Sequence, residues 1–192
     1  MGGLPAILDD FRPRQLWIGA EPETAEWLRV EQQAKADGVQ IRPLLRTTQP
    51  IAIGGTQLRV LAPSSGYLPG EAASNNDSLV LEITYRHRTV LLTGDAERAA
   101  ENDMLESGLL HPVTLLKVGH HGSKTSSSEE FLSAINPQFA VISDGYMNQF
   151  HHPHKDVLER LNAHHSVILR TDQRGLITFR TDGDRIDYTT FR

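Results

Sequence analysis

The chain has 192 residues, of which 39% are hydrophobic and 22% are charged, with a formal net charge of -5 and no cysteine. This composition is typical of a globular protein, and the length suits a single domain over residues 1–192 better than two domains. The lack of cysteine excludes disulfides, thiolate metal sites and cysteine nucleophiles, so that only His, Asp or Glu could bind a metal. The negative charge disfavours a large non-specific nucleic-acid surface, which normally uses clustered Lys and Arg.

The sequence contains no run of about 18 apolar residues, the minimum for a membrane-spanning helix. Its beginning also lacks the basic segment followed by an apolar stretch that is typical of an export signal. We therefore expect these residues to form a soluble chain without an export signal.

The first third of the chain mixes helical and strand patterns. They predict a helix at 2–11, a strand at 15–18, a helix at 23–37 and strands at 39–43, 51–53 and 57–62. Gly38 marks the end of the second helix, and Gly54-Gly55 favours a hairpin between the last two strands. The Pro-, Gly- and Ser-rich stretch that follows, up to Asn76, is expected to be a long loop.

The rest of the chain alternates strands with helices. The patterns predict strands at 78–85, 89–93, 113–118, 139–143, 167–170, 176–180 and 185–189, and helices at 96–107, 127–136 and 155–163. Ser127 and Glu130 have the spacing of a capping box at the start of the second of these helices. Alternating strands and helices, together with hairpins, predict an α/β layered domain.

The segment L-L-T-G-D at 91–95 is an apolar strand that ends in a flexible glycine and a carboxylate. Asp95 could therefore coordinate or bridge metal ions from the end of the strand. The alternative is that Asp95 caps the helix beginning at Ala96, a role that Asp commonly fills. Taken alone, the segment favours the cap.

Histidines are concentrated in the second half of the chain, and His120-His121 directly follow a buried strand. A neutral imidazole is a good ligand for zinc or manganese, and the flanking Gly119 and Gly122 favour a shaped loop. The two rings should point in different directions, so that one could bind metal while the other orients a ligand or transfers a proton. A pair of turn histidines is the alternative.

The segment His151-His152-Pro153-His154 precedes a helix and could reach the same cleft, or form a solvated turn. His164 and His165 lie at a helix end, where the helix dipole favours histidine, and are interpreted as structural.

Short polar residues mark two further places. Asn76 and Ser78 precede a strand, where they could orient a site or close a turn. Ser123, Lys124 and the serines at 126–128 could bind phosphate through hydroxyls and helix-start amides, or cap the following helix. The sequence has no G-x-S-x-G motif of a serine hydrolase.

Five segments together, in this order and spacing, resemble the hydrolase domain of the ComEC DNA-uptake family. They are N-N-D-S-L-V at 75–80, L-L-T-G-D at 91–95, L-K-V-G-H-H-G-S-K-T-S-S-S at 116–128, H-P-H at 152–154 and R-T-D at 170–172. The resemblance spans nearly the whole chain. It implies an α/β fold, a metallo-β-lactamase-like four-layer αββα sandwich, here truncated at its N-terminal side, because the family's H-x-H-x-D-H metal motif is missing and the chain starts where it should have ended.

The resemblance also implies the chemistry. One or two zinc or manganese ions would bind in the complete domain, and a metal-bound water would attack a phosphodiester. It implies Asp95 as the metal-bridging carboxylate, His120 or His121 as a further metal ligand, and His154 with His152 on the substrate side of the cleft. Together with the residue patterns above, this gives Asp95, His120 and His121 as candidate metal ligands, His121, His154 and Lys124 as candidates in catalysis, and Asn76, Ser78, Ser123 and His152 as candidates in substrate binding. One Asp with one or two His falls short of the usual ligand set, so we expect the fragment alone to be inactive.

The expected partners follow from the same family. They are DNA, single-stranded or the strand that is not imported, and a membrane channel domain in the same parent polypeptide, with this domain on the extracytoplasmic side of the bacterial inner membrane. Two alternatives stay open: a related hydrolase acting on another ester or on a lactam, and a metal-free module that binds nucleic acid or protein.

Overall fold

A computed structural model describes residues 3–192 of the chain. Within them the helices are α1 (Leu4–Phe11), α2 (Ala25–Ala36), α3 (Arg98–Glu106), α4 (Glu129–Ile135), α5 (Lys155–Ala163) and α6 (Thr171–Arg174). The strands are β1 (Gln15–Ile18), β2 (Gln40–Pro43), β3 (Ile51–Ile53), β4 (Thr56–Ala62), β5 (Val80–Tyr85), β6 (Arg88–Leu92), β7 (Leu115–Lys117), β8 (Phe139–Ile142), β9 (Val167–Arg170), β10 (Leu176–Thr181) and β11 (Ile186–Phe191).

A seven-stranded mixed sheet, in the order β3-β4-β5-β6-β7-β8-β9, is the central layer. Strands β3 to β6 pair antiparallel, and β6 to β9 pair parallel. Because parallel strands end at the same edge, the connections that leave β6, β7 and β8 start side by side. This edge positions the candidate site.

Helices α3, α4 and α5 cover one face of the sheet. Leu91, Leu116 and Ala140 are aligned across β6, β7 and β8, and they pack into one hydrophobic cluster with Met104 of α3 and Phe131 of α4. All five side chains are under 2% exposed. Each large side chain buried in this way contributes about 1.5–3 kcal/mol through removal of apolar surface from water.

The opposite face of the sheet carries the hairpin β10–β11. Phe139 of β8 faces this side, with its ring 5.4 Å from that of Phe179 and 5.9 Å from that of Tyr188. The hairpin turn is attached to the turn between β5 and β6, because the backbone N–H of His87 donates to the carbonyl of Gly183 at 3.1 Å.

Helices α1 and α2 and the parallel pair β1–β2 share a second, smaller hydrophobic cluster, which includes Leu8, Trp27 and Val30. Gly19, just after β1, lies against the loop before β5. A Cβ at this position would stand 2.8 Å from the carbonyl oxygen of Asp77. The small residue therefore allows the two backbones to approach.

The α/β prediction is confirmed, and the described residues arrange their remaining strands as the two separate pairs β1–β2 and β10–β11. The predicted capping residue of α4 is wrong by one position. Ser128, not Ser127, is the N-cap, and its hydroxyl accepts from the N–H of Phe131 at 3.3 Å. The short helix α6 was not predicted, and the start of the first predicted helix at residue 2 lies outside the described residues.

None of the helices within residues 3–192 combines the length and apolar character needed to cross a membrane.

Candidate functional site at the ends of strands β6, β7 and β8

Polar side chains gather where β6, β7 and β8 end, and we call this group the strand-end cluster: Asp95, Glu97, His120, His121 and His152. Asp95 and Glu97 follow β6, and the two adjacent histidines follow β7. His152 comes from the loop after β8, with its ring centroid 5.7 Å from that of His120. The parallel arrangement of the three strands therefore unites three of the segments identified in the sequence.

The loop that carries the two histidines has an unusual backbone. His120 and His121 both have positive φ, 44° and 53°, a conformation that costs a non-glycine residue about 1–3 kcal/mol and is concentrated at functional sites. A Cβ at Gly119 would lie 2.7 Å from the carbonyl oxygen of Ala96, and one at Gly122 would lie 2.6 Å from Cβ of Pro153. The two glycines are thus required for the loop to pack, as a shaped loop predicts.

Asp95 does not cap a helix, so the interpretation that its segment favours in isolation is wrong. The N-cap position of α3 is Glu97. The Asp95 carboxylate instead lies with Oδ1 3.5 Å from Nε2 of His121 and 3.5 Å from Nζ of Lys117. Sequence reasoning missed Lys117. Its position as a charged residue at the end of a buried strand is the one feature of the sequence that could have indicated it.

Lys117 is a partly buried cation beside Asp95. Its ammonium donates to the carbonyl of Gly94 at 2.5 Å. Burial lowers the pKa of Lys117, while the neighbouring Asp95 carboxylate opposes that shift. The Lys117 ammonium therefore contacts both the backbone of Gly94 and the side chain of Asp95, and stabilises this turn.

Two predicted substrate-binding residues contact the backbone around Asp95. The hydroxyl of Ser78 accepts from the N–H of Asp95 at 3.0 Å. The side-chain oxygen of Asn76 accepts from the N–H groups of Glu97 and Ala100 at 3.1 and 3.2 Å, and so caps α3. Both residues position the start of α3; contact with a substrate stays a prediction.

Glu97 is the second residue that sequence reasoning missed. Its Oε1 lies 2.9 Å from Nδ1 of His120, and it accepts from the hydroxyl of Thr125 at 2.7 Å and from the amide of Asn75 at 3.2 Å. Burial alone would raise the pKa of Glu97, but these hydrogen bonds lower it. Glu97 is therefore an ionised acceptor that joins three segments of the chain.

His121 is oriented by the main chain. Its Nδ1 lies 2.6 Å from the carbonyl oxygen of Ser143, just after β8. A carbonyl only accepts, so Nδ1 carries the proton, and in the neutral ring the Nε2 that faces Asp95 has the free lone pair. This is the form in which imidazole binds a metal.

His152 and His154 differ in their surroundings. His152 stacks on Phe150 with centroids 6.0 Å apart, and burial, together with the proximity of His120, lowers its pKa. Nδ1 of His154 accepts from the N–H of Asp156 at 3.3 Å and caps α5, which leaves Nε2 to carry the proton in the neutral ring. Lys124 is well exposed, and its Nζ lies 3.8 Å from the side-chain carboxylate of Asp156.

The serines after the histidine loop do not form the phosphate site that their pattern allowed. The serines at 126–128 are each only 1% exposed. The N–H groups of Ser127 and Ser128 donate to the buried carboxyl group of Glu101 at 2.5 and 2.9 Å, so an internal acceptor already occupies this helix start. Ser123 is also buried, its hydroxyl 3.0 Å from that of Thr125; its role in substrate binding stays a prediction.

Within residues 3–192, no three His, Cys, Asp or Glu side chains are placed so that they could hold a metal ion together. Asp95 and His121 approach each other, but His120 is paired with Glu97. Zinc sites normally take three or four protein ligands. The described residues by themselves therefore do not fit a complete metal site.

The Metallo-beta-lactamase superfamily matches residues 1–143, which is well over half of the chain. The chain belongs to this superfamily. Its members are metal-dependent and usually use zinc.

Three relatives agree with the ComEC resemblance, which is thereby confirmed. ComE operon protein 3 of Bacillus subtilis (strain 168) is 40% identical over 152 residues, which cover 79% of this chain and 19% of that protein. Recombination protein 2 of Haemophilus influenzae is 37% identical over 69% of this chain and 16% of its own length. Competence protein ComA of Neisseria gonorrhoeae is 40% identical over 55% of this chain and 15% of its own length. The chain thus spans less than a fifth of each relative.

Proposed function

We propose that this chain is part of a metal-dependent phosphodiesterase that cuts DNA during DNA uptake, with the strand-end cluster in its active site. The observation that carries the proposal is the approach of His121 Nε2 to Asp95 Oδ1 at 3.5 Å, at the ends of β6 and β7, in a chain of a metal-dependent superfamily. The relative named Competence protein ComA supports DNA as the substrate.

Asp95 and His121 are, in this proposal, two of the metal ligands, and the others come from residues outside 3–192. Three features support the pair. The backbone of Asp95 is held by Ser78, the imidazole of His121 is oriented by Ser143, and Nε2 of His121 lies 3.5 Å from the Asp95 carboxylate. Two ligands do not complete a site, so the 192 residues alone do not cut DNA.

The substrate side of the cleft is assigned to His152, His154 and Lys124. The backbone N–H of His154 donates to the carbonyl of Gly122 at 2.8 Å, which joins its loop to the histidine loop. With Nδ1 engaged by Asp156, His154 presents an N–H donor, and the exposed ammonium of Lys124 is a second one. Both suit the anionic oxygens of a phosphodiester.

We also propose that the parent is a longer inner-membrane protein with a channel domain, and that this domain lies on the extracytoplasmic side. The small share of each relative that the chain spans supports a larger parent. Protease cleavage of the domain in spheroplasts, without membrane rupture, is the expected result; protection until rupture would contradict this location.

The test compares metal content and zinc- or manganese-dependent cleavage of single- and double-stranded DNA for three proteins: this chain, a form extended on its N-terminal side, and the extended form with Asp95→Ala. Asp187→Ala, which removes an exposed carboxylate on β11, is the matched control. We expect the extended form and the control to bind metal and cut DNA, and Asp95→Ala to lose cleavage at least about 100-fold, since it removes a ligand.

Metal binding by the extended form without DNA cleavage would overturn the nuclease assignment and leave a metal-dependent hydrolase of another ester. If the extended form binds no metal but binds DNA or protein in the presence of a chelator, the proposal fails in favour of a metal-free interaction module.

A further inference from the structure

The geometry around Glu97 shows which nitrogen of His120 carries the proton. Oε1 of Glu97 receives a hydroxyl proton from Thr125 at 2.7 Å and an amide proton from Asn75 at 3.2 Å. Both partners act as donors, so Glu97 is an acceptor at this oxygen. The 2.9 Å contact with His120 Nδ1 therefore requires the proton to lie on Nδ1, since two bare acceptors would repel at that distance.

Asn75 is also 3.4 Å from the same ring nitrogen, which would suit the opposite proton position. The shorter contact decides the assignment. A charge-assisted hydrogen bond to a carboxylate at 2.9 Å is stronger than a neutral contact at 3.4 Å.

We propose that Glu97 is a positioning residue that holds His120 as the Nδ1–H tautomer and leaves the Nε2 lone pair free to accept a proton or a ligand. The assignment of the tautomer needs no metal and no substrate. What Nε2 then serves rests on the proposed function.

The surroundings of Glu97 explain how it can fix a ring. Its backbone N–H is held by the side chain of Asn76, and its carboxylate by groups from the loop before β5 and the loop after β7. The His120 side chain is only 25% exposed, and its ring lies 6.4 Å from that of His121 and 5.7 Å from that of His152. A ring enclosed in this way keeps one orientation, which the carboxylate selects.

His121 supplies an internal reference. It is held as the same tautomer, but by the main-chain carbonyl of Ser143 and not by Glu97. A change at Glu97 that acts through the hydrogen bond must therefore alter the tautomer of His120 and leave that of His121 unchanged. A general loosening of the loop would alter both.

The experiment uses the full 192-residue chain labelled with ¹⁵N at histidine, at a pH about 1.5 units above the ordinary histidine pKa of about 6.5, where free imidazoles are neutral. Two-bond ¹H–¹⁵N spectra distinguish a protonated from an unprotonated ring nitrogen. We expect His120 Nδ1 to be protonated in the wild type, and Glu97→Ala to move its signals toward the Nε2–H form while those of His121 stay in place.

Glu97→Gln retains an oxygen acceptor and is expected to restore the Nδ1–H form of His120. Glu106→Ala, at an exposed carboxylate of the same helix, should leave both rings unchanged. Far-UV circular dichroism checks folding, and if Glu97→Ala does not fold, the Glu97→Gln spectrum decides by keeping or losing the Nδ1–H form.

An Nε2–H tautomer of His120 in the wild type would overturn the inference, as would an unchanged tautomer in folded Glu97→Ala. Its failure is distinct from failure of the proposed function. If His120 shows the Nδ1–H form and the extended protein cuts no DNA, the inference stands while the nuclease proposal falls.

Discussion

Glu97 and Glu101 lie one helical turn apart at the start of α3, and they serve different regions of the molecule. Glu101 is 2% exposed and accepts from the N–H groups of Ser127 and Ser128, where α4 begins. Glu97 faces the part-exposed strand-end cluster and accepts from His120. One carboxylate joins two helices in the core, and the other orients a titratable ring.

The surroundings shift the pKa values of the two carboxyls in opposite directions. Burial raises the pKa of Glu101, although the N–H groups of Ser128 and Ser127 oppose the shift. Burial of Glu97 is outweighed by hydrogen bonds from Thr125, Asn75 and His120, which lower its pKa. Residue type and helix position therefore do not decide the role of a carboxylate; its partners do.

The largest expected effect comes from Glu101→Ala. It leaves two buried backbone N–H groups without an acceptor, and we expect the free energy of unfolding to fall by about 3 kcal/mol. Glu97→Ala, at the part-exposed site, should lose about 1 kcal/mol or less. Urea denaturation measures both, and equal losses would remove the distinction between the two carboxylates.

Gly119→Ala tests the packing of the histidine loop against the start of α3. The new Cβ would stand 2.7 Å from the carbonyl oxygen of Ala96, so we expect a loss of about 2 kcal/mol in thermal or urea unfolding. Gly66→Ala is the control, since nothing lies within 4 Å of a Cβ there. Equal stability of the two variants would show that the histidine loop does not pack tightly against the backbone of Ala96.

The opposite pKa shifts predict opposite pH dependences. Because the pKa of Glu101 is raised in the folded state, its contribution to stability is complete below its ordinary value of 4.5 and is lost as the pH rises through the folded pKa. The wild type should therefore lose stability relative to Glu101→Gln as the pH rises above 4.5.

Glu97 should behave in the reverse way. Its lowered pKa contributes stability that is present above 4.5 and lost as the pH falls through the folded pKa. The wild type should lose stability relative to Glu97→Gln on acidification below 4.5. Urea titrations from acid to neutral pH measure both differences, and slopes of the same sign would contradict the comparison.

The smallest effect is expected at Ser127. Its φ is +54°, and its buried hydroxyl has no hydrogen-bond partner in the part of the chain that the structure describes. Ser127→Gly relieves both features, and we expect a gain of about 0.5 kcal/mol in unfolding free energy. Ser128→Ala removes a helix cap and should lose about 1 kcal/mol, so a loss at both positions would contradict this description.

Local patterns in the sequence predicted most elements. The hairpin at Gly54-Gly55 and the helix at 155–163 are confirmed, because glycine pairs and apolar periodicity act over a few residues. The caps were less predictable. By sequence, either Ser127 or Ser128 could be the N-cap of α4. In the structure Ser128 is the N-cap, and the backbone N–H of Ser127 donates to the carboxyl group of Glu101, which is 26 residues away in the chain.

The sequence by itself determined the family, the α/β alternation and the strand-end positions of Asp95, His120 and His121, since these depend on local order and spacing. Only the tertiary structure decided that Asp95 faces His121 and not a helix start, and that Glu97, Glu101 and Lys117 have separate tasks. These contacts join residues that are far apart in the chain, and hydrogen bonds of that kind depend on which strands the sheet places side by side.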